Sequence, residues 1–448
     1  MRQSKTGWKW VLALFSLLLT VLIWRQGLEE SLDRPSVVPK ISLRQTEMAV
    51  TASSSLPESL KDVFLGPEPQ EKLYQALNNI PSEQIDERQR LLKAALEKSD
   101  EKQVMILKND FKDKNFEVVR NYILDKGKGN KVEEFPGFNE IKLDPLLYQI
   151  SCSSLGLDDK KCINQRYNLR TAIRLLSSQL LPFLASFIGS IFLIRYIFIF
   201  TRKQNTQWPE IIAPPLSIID MIILISGGFV VIGEVVFPAL LIPITDLLFN
   251  NLTSALKESL RVFIGYCSMT IGPLLIIRYQ LMGLESSGVE GGWLQWKIKP
   301  IKEGIFKSIS GWLMIMPLVL LIGWFMNEII GDQGGSNPLL ELVLNSDEFI
   351  PLLFLLITTV ILAPVFEELV FRGVLLPVLV SKVGKISGVL LSALIFALAH
   401  LSVGELPPLF VLGIGLGLMR LSSGRLFPCA LMHSLWNGVT FASLLLVA

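Results

Sequence analysis

Long apolar runs separated by short polar stretches dominate the chain, and one long polar stretch from Gln26 to Arg174 interrupts them. A helix needs ~20 mostly apolar residues to cross a hydrocarbon core roughly 30 Å thick, at about 1.5 Å per residue. The first run, Trp8 to Trp24, has Trp at both ends as interfacial anchors, with Arg2, Lys5 and Lys9 at its start. No small-x-small cleavage site follows it at Trp24-Arg25-Gln26, so it reads as a retained anchor. Further spans fall at about 175–200, 215–247, 260–282, 306–330, 350–379, 386–402, 407–421 and 427–447. Within the polar stretch, periods at Glu71–Ile80, Gln84–Lys98 and Phe116–Leu124 predict amphipathic helices. The fold expected is all-α: a polytopic transmembrane helix bundle of eight or nine spans with a small extramembrane α-helical domain. Its parts are an anchor at 1–25, a soluble domain at 26–174, membrane helices at 175–345 and a C-terminal core at 346–448.

Composition agrees with lipid as the solvent, because half of the 448 residues are hydrophobic and 18% are charged. The net charge is +2, from 42 Lys and Arg against 40 Asp and Glu. No large basic field is present to bind nucleic acid.

The cations set an orientation. The N-terminus, Arg202/Lys203, the Lys297–Lys302 stretch, Lys382/Lys385 and Arg420/Arg425 fall on one side if every span crosses once. Positive loops stay cytoplasmic. The 26–174 domain and the acidic loop Asn327–Glu348 then lie on the other side. Cys152 and Cys162 sit in that domain, where a disulfide survives in an oxidising compartment. Two free thiols are the alternative, since spacing alone does not decide pairing.

Ionisable groups inside apolar spans cost roughly 2.5–3.5 kcal/mol each on insertion scales, so they usually face a cavity and act there. Ala363-Pro-Val-Phe-Glu-Glu-Leu-Val-Phe-Arg-Gly373 puts Glu367, Glu368 and Arg372 in one oily helix. Glu368 and Arg372 are four apart, in ion-pairing register, while Glu367 points about 100° away. A structural pair with Arg372 snorkelling to the interface explains two of the three. It leaves Glu367 free as a general base.

Both histidines of the chain lie in this C-terminal region: His400 four after Phe396, and His433 four before Asn437. A lone buried His is more often a hydrogen-bonded packing residue than a catalyst. A Glu, two His and an Asn on three helices are, together, the parts for activating a water and stabilising an oxyanion.

Glu-Glu-x-x-x-Arg, Phe-x-x-x-His and His-x-x-x-Asn, in that order over about residues 350–445, resemble the CPBP family of type II CAAX prenyl endopeptidases and bacteriocin-processing or immunity (Abi) proteins. The resemblance implies an intramembrane endopeptidase whose polar cavity opens towards the cytoplasm. It implies Glu367 and His400 as the pair that orients and deprotonates water, and His433 and Asn437 as binders of the oxyanion. Glu368 and Arg372 occupy supporting positions, and Phe396 packs beside the site. The 26–174 domain receives no role from it.

Metal use stays open at this level. Glu367, His400 and His433 could ligate zinc, but there is no His-Glu-x-x-His, and Asn437 beside His433 is a poor zinc ligand. A metal-independent glutamate mechanism is the expectation. The partners expected are a peptide or protein substrate and the lipid bilayer, with oligomeric state unassigned.

A second reading is a non-catalytic membrane scaffold or immunity-type protein acting through residues 26–174. A transporter using Glu234 and Glu367 as proton relays is a third, and it lacks a visible inverted repeat. Glu234 and Arg195 are charges outside the motif region that pair with each other, or else Arg195 snorkels. Gly413, Gly415 and Gly417 suit close helix packing. Cys267 and Cys429 read as buried small apolar residues.

Overall fold

The computed structural model describes residues 6–34, 36–81, 83–108, 110–127, 135–138, 140–141, 143–157, 159–202, 208–285, 288–331 and 335–448. Arg2, Lys5 and Lys203, used above for orientation, lie outside the described residues. Every regular element among the described residues is a helix. The chain divides into two compact units, one of residues 1–37 and 182–446 and one of residues 38–181.

The unit of residues 38–181 is built from short amphipathic helices, including Pro69–Asn78, Glu87–Leu96, Lys114–Gly127 and Pro145–Ser154. Three of them fall on the expected periods. Leu73, Leu77, Leu91, Leu92, Leu107, Val119, Ile123 and Leu147 close its core. Each contributes roughly 1.5–3 kcal/mol by leaving water. Asp86 and Gln89 form a capping box at the start of Glu87–Leu96. Arg88 bridges Glu47, at 2.8 Å, and Asp144, at 2.9 Å, while Asp144 also caps Pro145–Ser154. Cys152 and Cys162 are joined as a disulfide.

Among the described residues, eight helices are long and apolar enough to cross a membrane. In chain order the apolar helices are α1 (Thr6–Asp33), α2 (Gln165–Arg202), α3 (Ile218–Leu248), α4 (Ser254–Leu281), α5 (Ile301–Ile330), α6 (Phe349–Val383), α7 (Lys385–Leu398), α8 (Leu406–Ser423) and α9 (Phe427–Val447). The ninth, α7, has 14 residues. At ~1.5 Å per residue it is about 21 Å long, too short to cross the hydrocarbon core by itself. The expected span at 386–402 is thus a short helix followed by a turn. Phe15, Leu18 and Leu22 of α1 and Phe187, Ile194 and Phe198 of α2 remain exposed, as lipid-facing side chains do.

The boundary expected near residue 26 moves to residue 38. Helix α1 runs past its apolar stretch because Arg25–Glu29 and Gln26–Glu30 pair one turn apart, at 2.8 Å each. Residues 182–345 and 346–446 also form one unit rather than a membrane part and a separate core.

Hydrogen bonds between loops mark two ends of the membrane unit. At one end Lys9 reaches Asp220, Gln280 reaches the Asp220 carbonyl, and Arg425 reaches the Pro300 carbonyl. At the other, Arg34 reaches the Leu401 carbonyl, Glu405 accepts from the Asn337 amide, and Thr253 reaches Glu348. Arg420 and Arg425, counted above as loop cations, are buried. Arg420 bonds to Gln295 and to the Arg372 carbonyl.

Candidate active site

Helix α6 carries the two glutamates between wide π-type stretches at Ile357–Leu362 and Leu369–Leu375. Such stretches frequently accompany functional sites. A third, Ile223–Val236 in α3, carries Glu234.

Glu368 and Arg372 form the i, i+4 ion pair that their spacing predicts, at 2.7 Å, and both are fully buried. Arg372 therefore does not snorkel. Its other nitrogen donates to the Gly413 carbonyl at 3.2 Å, and its guanidinium lies over the Phe396 ring, 4.3 Å from the centroid. A Cβ on Gly413 would come within 3.0 Å of the Ala393 backbone on α7, so glycine lets α7 and α8 approach where Arg372 needs that carbonyl.

Glu367 turns the other way. Its Oε1 accepts from the Tyr266 hydroxyl of α4 at 2.9 Å, while Oε2 is buried without a hydrogen-bond partner. His433 on α9 lies between the two carboxylates. Its Nδ1 is 3.0 Å from Glu368 Oε1, and its Nε2 is 3.9 Å from Glu367 Oε2. An oxygen that already accepts from Arg372 can only accept from His433, so Nδ1 carries the proton and donates. The 3.9 Å separation is longer than a hydrogen bond, which leaves Nε2 uncommitted.

His400 sits two residues past the end of α7. Its Nδ1 is 2.8 Å from the Phe396 carbonyl, so Nδ1 is again the donor and a neutral ring presents the Nε2 lone pair. Phe396 is fully buried and meets both imidazoles edge to face, at centroid distances of 4.8 Å to His400 and 5.7 Å to His433. Asn437 donates from Nδ2 to the Thr359 carbonyl at 2.8 Å. The next residue, Leu401, has φ +50°, a conformation that costs a non-glycine residue about 1–3 kcal/mol unless the surroundings hold it.

Glu367, His400, His433 and Asn437 all line one cavity of about 460 Å³. Tyr266, Glu234, Arg34 and Glu405 line it too. Glu234 has Oε2 without a hydrogen-bond partner and faces this space, while Arg195 is exposed on α2; the two are not a pair. Burial raises the Glu405 carboxyl above the usual carboxylate range, against the Asn337 amide, His400 and Arg34, which lower it.

Tyr266, Arg34 and Glu405 were not singled out by sequence. A tyrosine in an apolar span and two charges beside polar turns carry little signal until the helices are assembled. Arg34, Ser336, Asn337 and Glu405 in the cavity lining come from the region near the C-terminal end of α1 and the turns before α8. Among the described residues, no three His, Cys, Asp or Glu side chains gather as a metal-holding group.

Residues 349–439 match the family described as type II CAAX prenyl endopeptidase Rce1-like. That match takes in 91 of the 448 residues. The match to the Rce1-like family takes in Glu367, His400, His433 and Asn437 and leaves Arg34, Glu234 and Tyr266 outside. Residues 38–173 match a second family, described as a domain of unknown function (DUF8675). The chain matches no curated protein and no solved structure.

Proposed function

We propose that the protein is an intramembrane endopeptidase that hydrolyses a peptide bond of a membrane-associated substrate with a water activated by Glu367. The observation that carries this reading is the free Oε2 of Glu367, buried on the wall of a cavity that His400, His433 and Asn437 share. Tyr266 holds the other oxygen, so the carboxylate is oriented before any substrate arrives.

A water in the cavity donates one proton to Glu367 Oε2 and the other to the His400 Nε2 lone pair, which turns its own lone pairs towards the scissile carbonyl. Its oxygen bonds to the carbonyl carbon as Glu367 takes the proton. The C–N bond then breaks, and Glu367 returns that proton to the leaving amine. General-base assistance of this kind is worth about 10²–10⁴ in rate.

His433 and Asn437 act on the oxyanion. The imidazolium form of His433 is the one that donates from both ring nitrogens. Nδ1–H is held by Glu368, and Nε2–H is left as a donor into the cavity. The Asn437 amide has a second N–H beyond the one given to Thr359. Each donor aimed at a developing oxyanion is worth about 10²–10³ in turnover. No step in this route needs a metal.

Orientation follows from the cations that stay in loops or near helix ends at the Lys9 end: Lys9, Arg202, Lys297, Lys299, Lys302, Lys382 and Lys385. By the positive-inside rule that end is cytoplasmic. Residues 38–181, which follow α1, then belong to the opposite compartment, and the Cys152–Cys162 disulfide suits an oxidising space. Protection of residues 38–181 from protease added to intact cells would reverse this orientation.

The test of the activity uses full-length protein in proteoliposomes with two probes, an internally quenched membrane-spanning peptide and a farnesylated peptide ending in a CAAX sequence. Cleavage of either, reduced at least about 100-fold by Glu367→Gln in a folded protein, supports the proposal. Unchanged cleavage by the Gln variant removes it.

A further inference from the structure

His400 stands on a turn, not on a helix, and a catalytic group on a turn needs its surroundings to fix it. Two residues of α1 and the residue that follows its end, all outside the Rce1-like region, meet that turn. Gly27 and Ser31 are i and i+4 on one helix face, and Arg34 comes directly after Asp33, where α1 ends. Arg34 Nη2 donates to the Leu401 carbonyl at 2.8 Å. Ser31 donates to its own helix at the Leu28 carbonyl, 2.7 Å, and so keeps a lone pair for the Val403 amide at 3.1 Å. A Cβ on Gly27 would lie 3.0 Å from the Leu401 side chain, so any larger residue makes that side chain give way by a few tenths of an ångström or more.

The contacts converge on the strained point. Leu401, with φ +50°, directly follows His400, and its carbonyl is the group that Arg34 holds while its side chain fills the space at Gly27. From the other side, Ser402 donates to the Gly335 carbonyl at 2.5 Å, and the Asn337 amide donates to Glu405 at 2.9 Å. His400 has its own tie, Nδ1 to Phe396, but that bond fixes the ring about one axis only and cannot stop the turn from relaxing.

We infer that the C-terminal end of α1, with Gly27, Ser31 and the following Arg34, is a positioning element of the active site, holding Leu401 in its left-handed conformation so that His400 keeps its place on the cavity wall. The inference rests on the endopeptidase reading for its kinetic effect, though the structural effect can be measured without it. Arg34, Ser31 and Gly27 are positioning residues, since the contacts they make are with the turn.

The experiment uses full-length protein in proteoliposomes and the quenched membrane-spanning peptide. Arg34→Ala and Gly27→Leu are expected to lower kcat about tenfold or more with KM within about twofold, because small misplacement of a reacting group costs rate more than binding. Arg34→Lys, which keeps a donor, should recover part of the loss, and Ser31→Ala should cost less than Arg34→Ala. In parallel, diethyl pyrocarbonate modification of His400, one of two histidines in the chain, is followed by mass spectrometry. It should run about fivefold or more faster in Arg34→Ala, on the reasoning that a freed turn exposes the ring. If Arg34→Ala is not recovered folded, Arg34→Lys and Ser31→Ala carry the same two measurements. Wild-type kcat and wild-type modification rates in these variants overturn the inference. Loss of the endopeptidase reading alone shows as Glu367→Gln retaining cleavage while the modification rates still rise.

Discussion

Glu368 and His433, 65 residues apart in the chain, are joined by a 3.0 Å hydrogen bond from Nδ1 to Oε1. The same carboxylate oxygen takes Arg372 at 2.7 Å. Of two adjacent glutamates, one is therefore occupied in holding an imidazole and a guanidinium, and the other, Glu367, keeps a free oxygen on the cavity wall.

Glu368→Gln is expected to damage the fold more than Glu367→Gln. It leaves the buried Arg372 without its counter-charge, a loss of about 3–5 kcal/mol for a fully buried pair. Glu367→Gln should cost about 1 kcal/mol or less, since the Gln amide oxygen can still accept from the Tyr266 hydroxyl. Unfolding of the two variants in mixed micelles distinguishes them. Equal stability would contradict the division of labour.

Tyr266→Phe should keep the fold and lower kcat. It removes the hydroxyl that orients Glu367, at 2.9 Å, and a bond to a charged group is worth about 1.5–3 kcal/mol, or about tenfold or more in rate. The check is a kcat comparison on whichever peptide the wild-type protein cleaves. A change confined to KM would assign Tyr266 to substrate contact instead.

Reduction of Cys152–Cys162 should loosen the unit of residues 38–181 and spare the membrane unit. Opening so short a loop costs about 2–4 kcal/mol in the chain-entropy picture. Limited proteolysis of the full chain with and without reductant, mapped by mass spectrometry, reads it out. New cuts should cluster between residues 38 and 181.

The Tyr74 hydroxyl donates to Glu97, and that bond holds the Glu97 carboxyl below the usual carboxylate range. A carboxyl lowered on folding adds stability that is present above its unfolded pKa, near 4.3, and is lost as pH falls through the folded value. Tyr74→Phe should therefore flatten the acid loss of stability of this unit from about pH 5 downward, measured as protease susceptibility against pH. An unaltered acid limb would show that the bond does not contribute.

By itself the sequence determined that the protein is helical and lies in lipid, because the length and polarity of each apolar run answer to the thickness of the bilayer. It also paired Glu368 with Arg372 through their i, i+4 spacing, and the placement of two histidines near them marked the region. The extent of α1 beyond Trp24 and the shortness of α7 were hidden, since i, i+4 pairs lengthen a helix without apolar residues and a turn of small residues still reads as oily. Which imidazole faces which carboxylate, the grip of Tyr266 on Glu367, and the meeting of Gly27, Ser31 and Arg34 with the His400 turn were decided by tertiary structure alone. They depend on how helices far apart in sequence are rotated and stacked against one another, and helical periodicity gives the face of one helix but not the neighbour it meets.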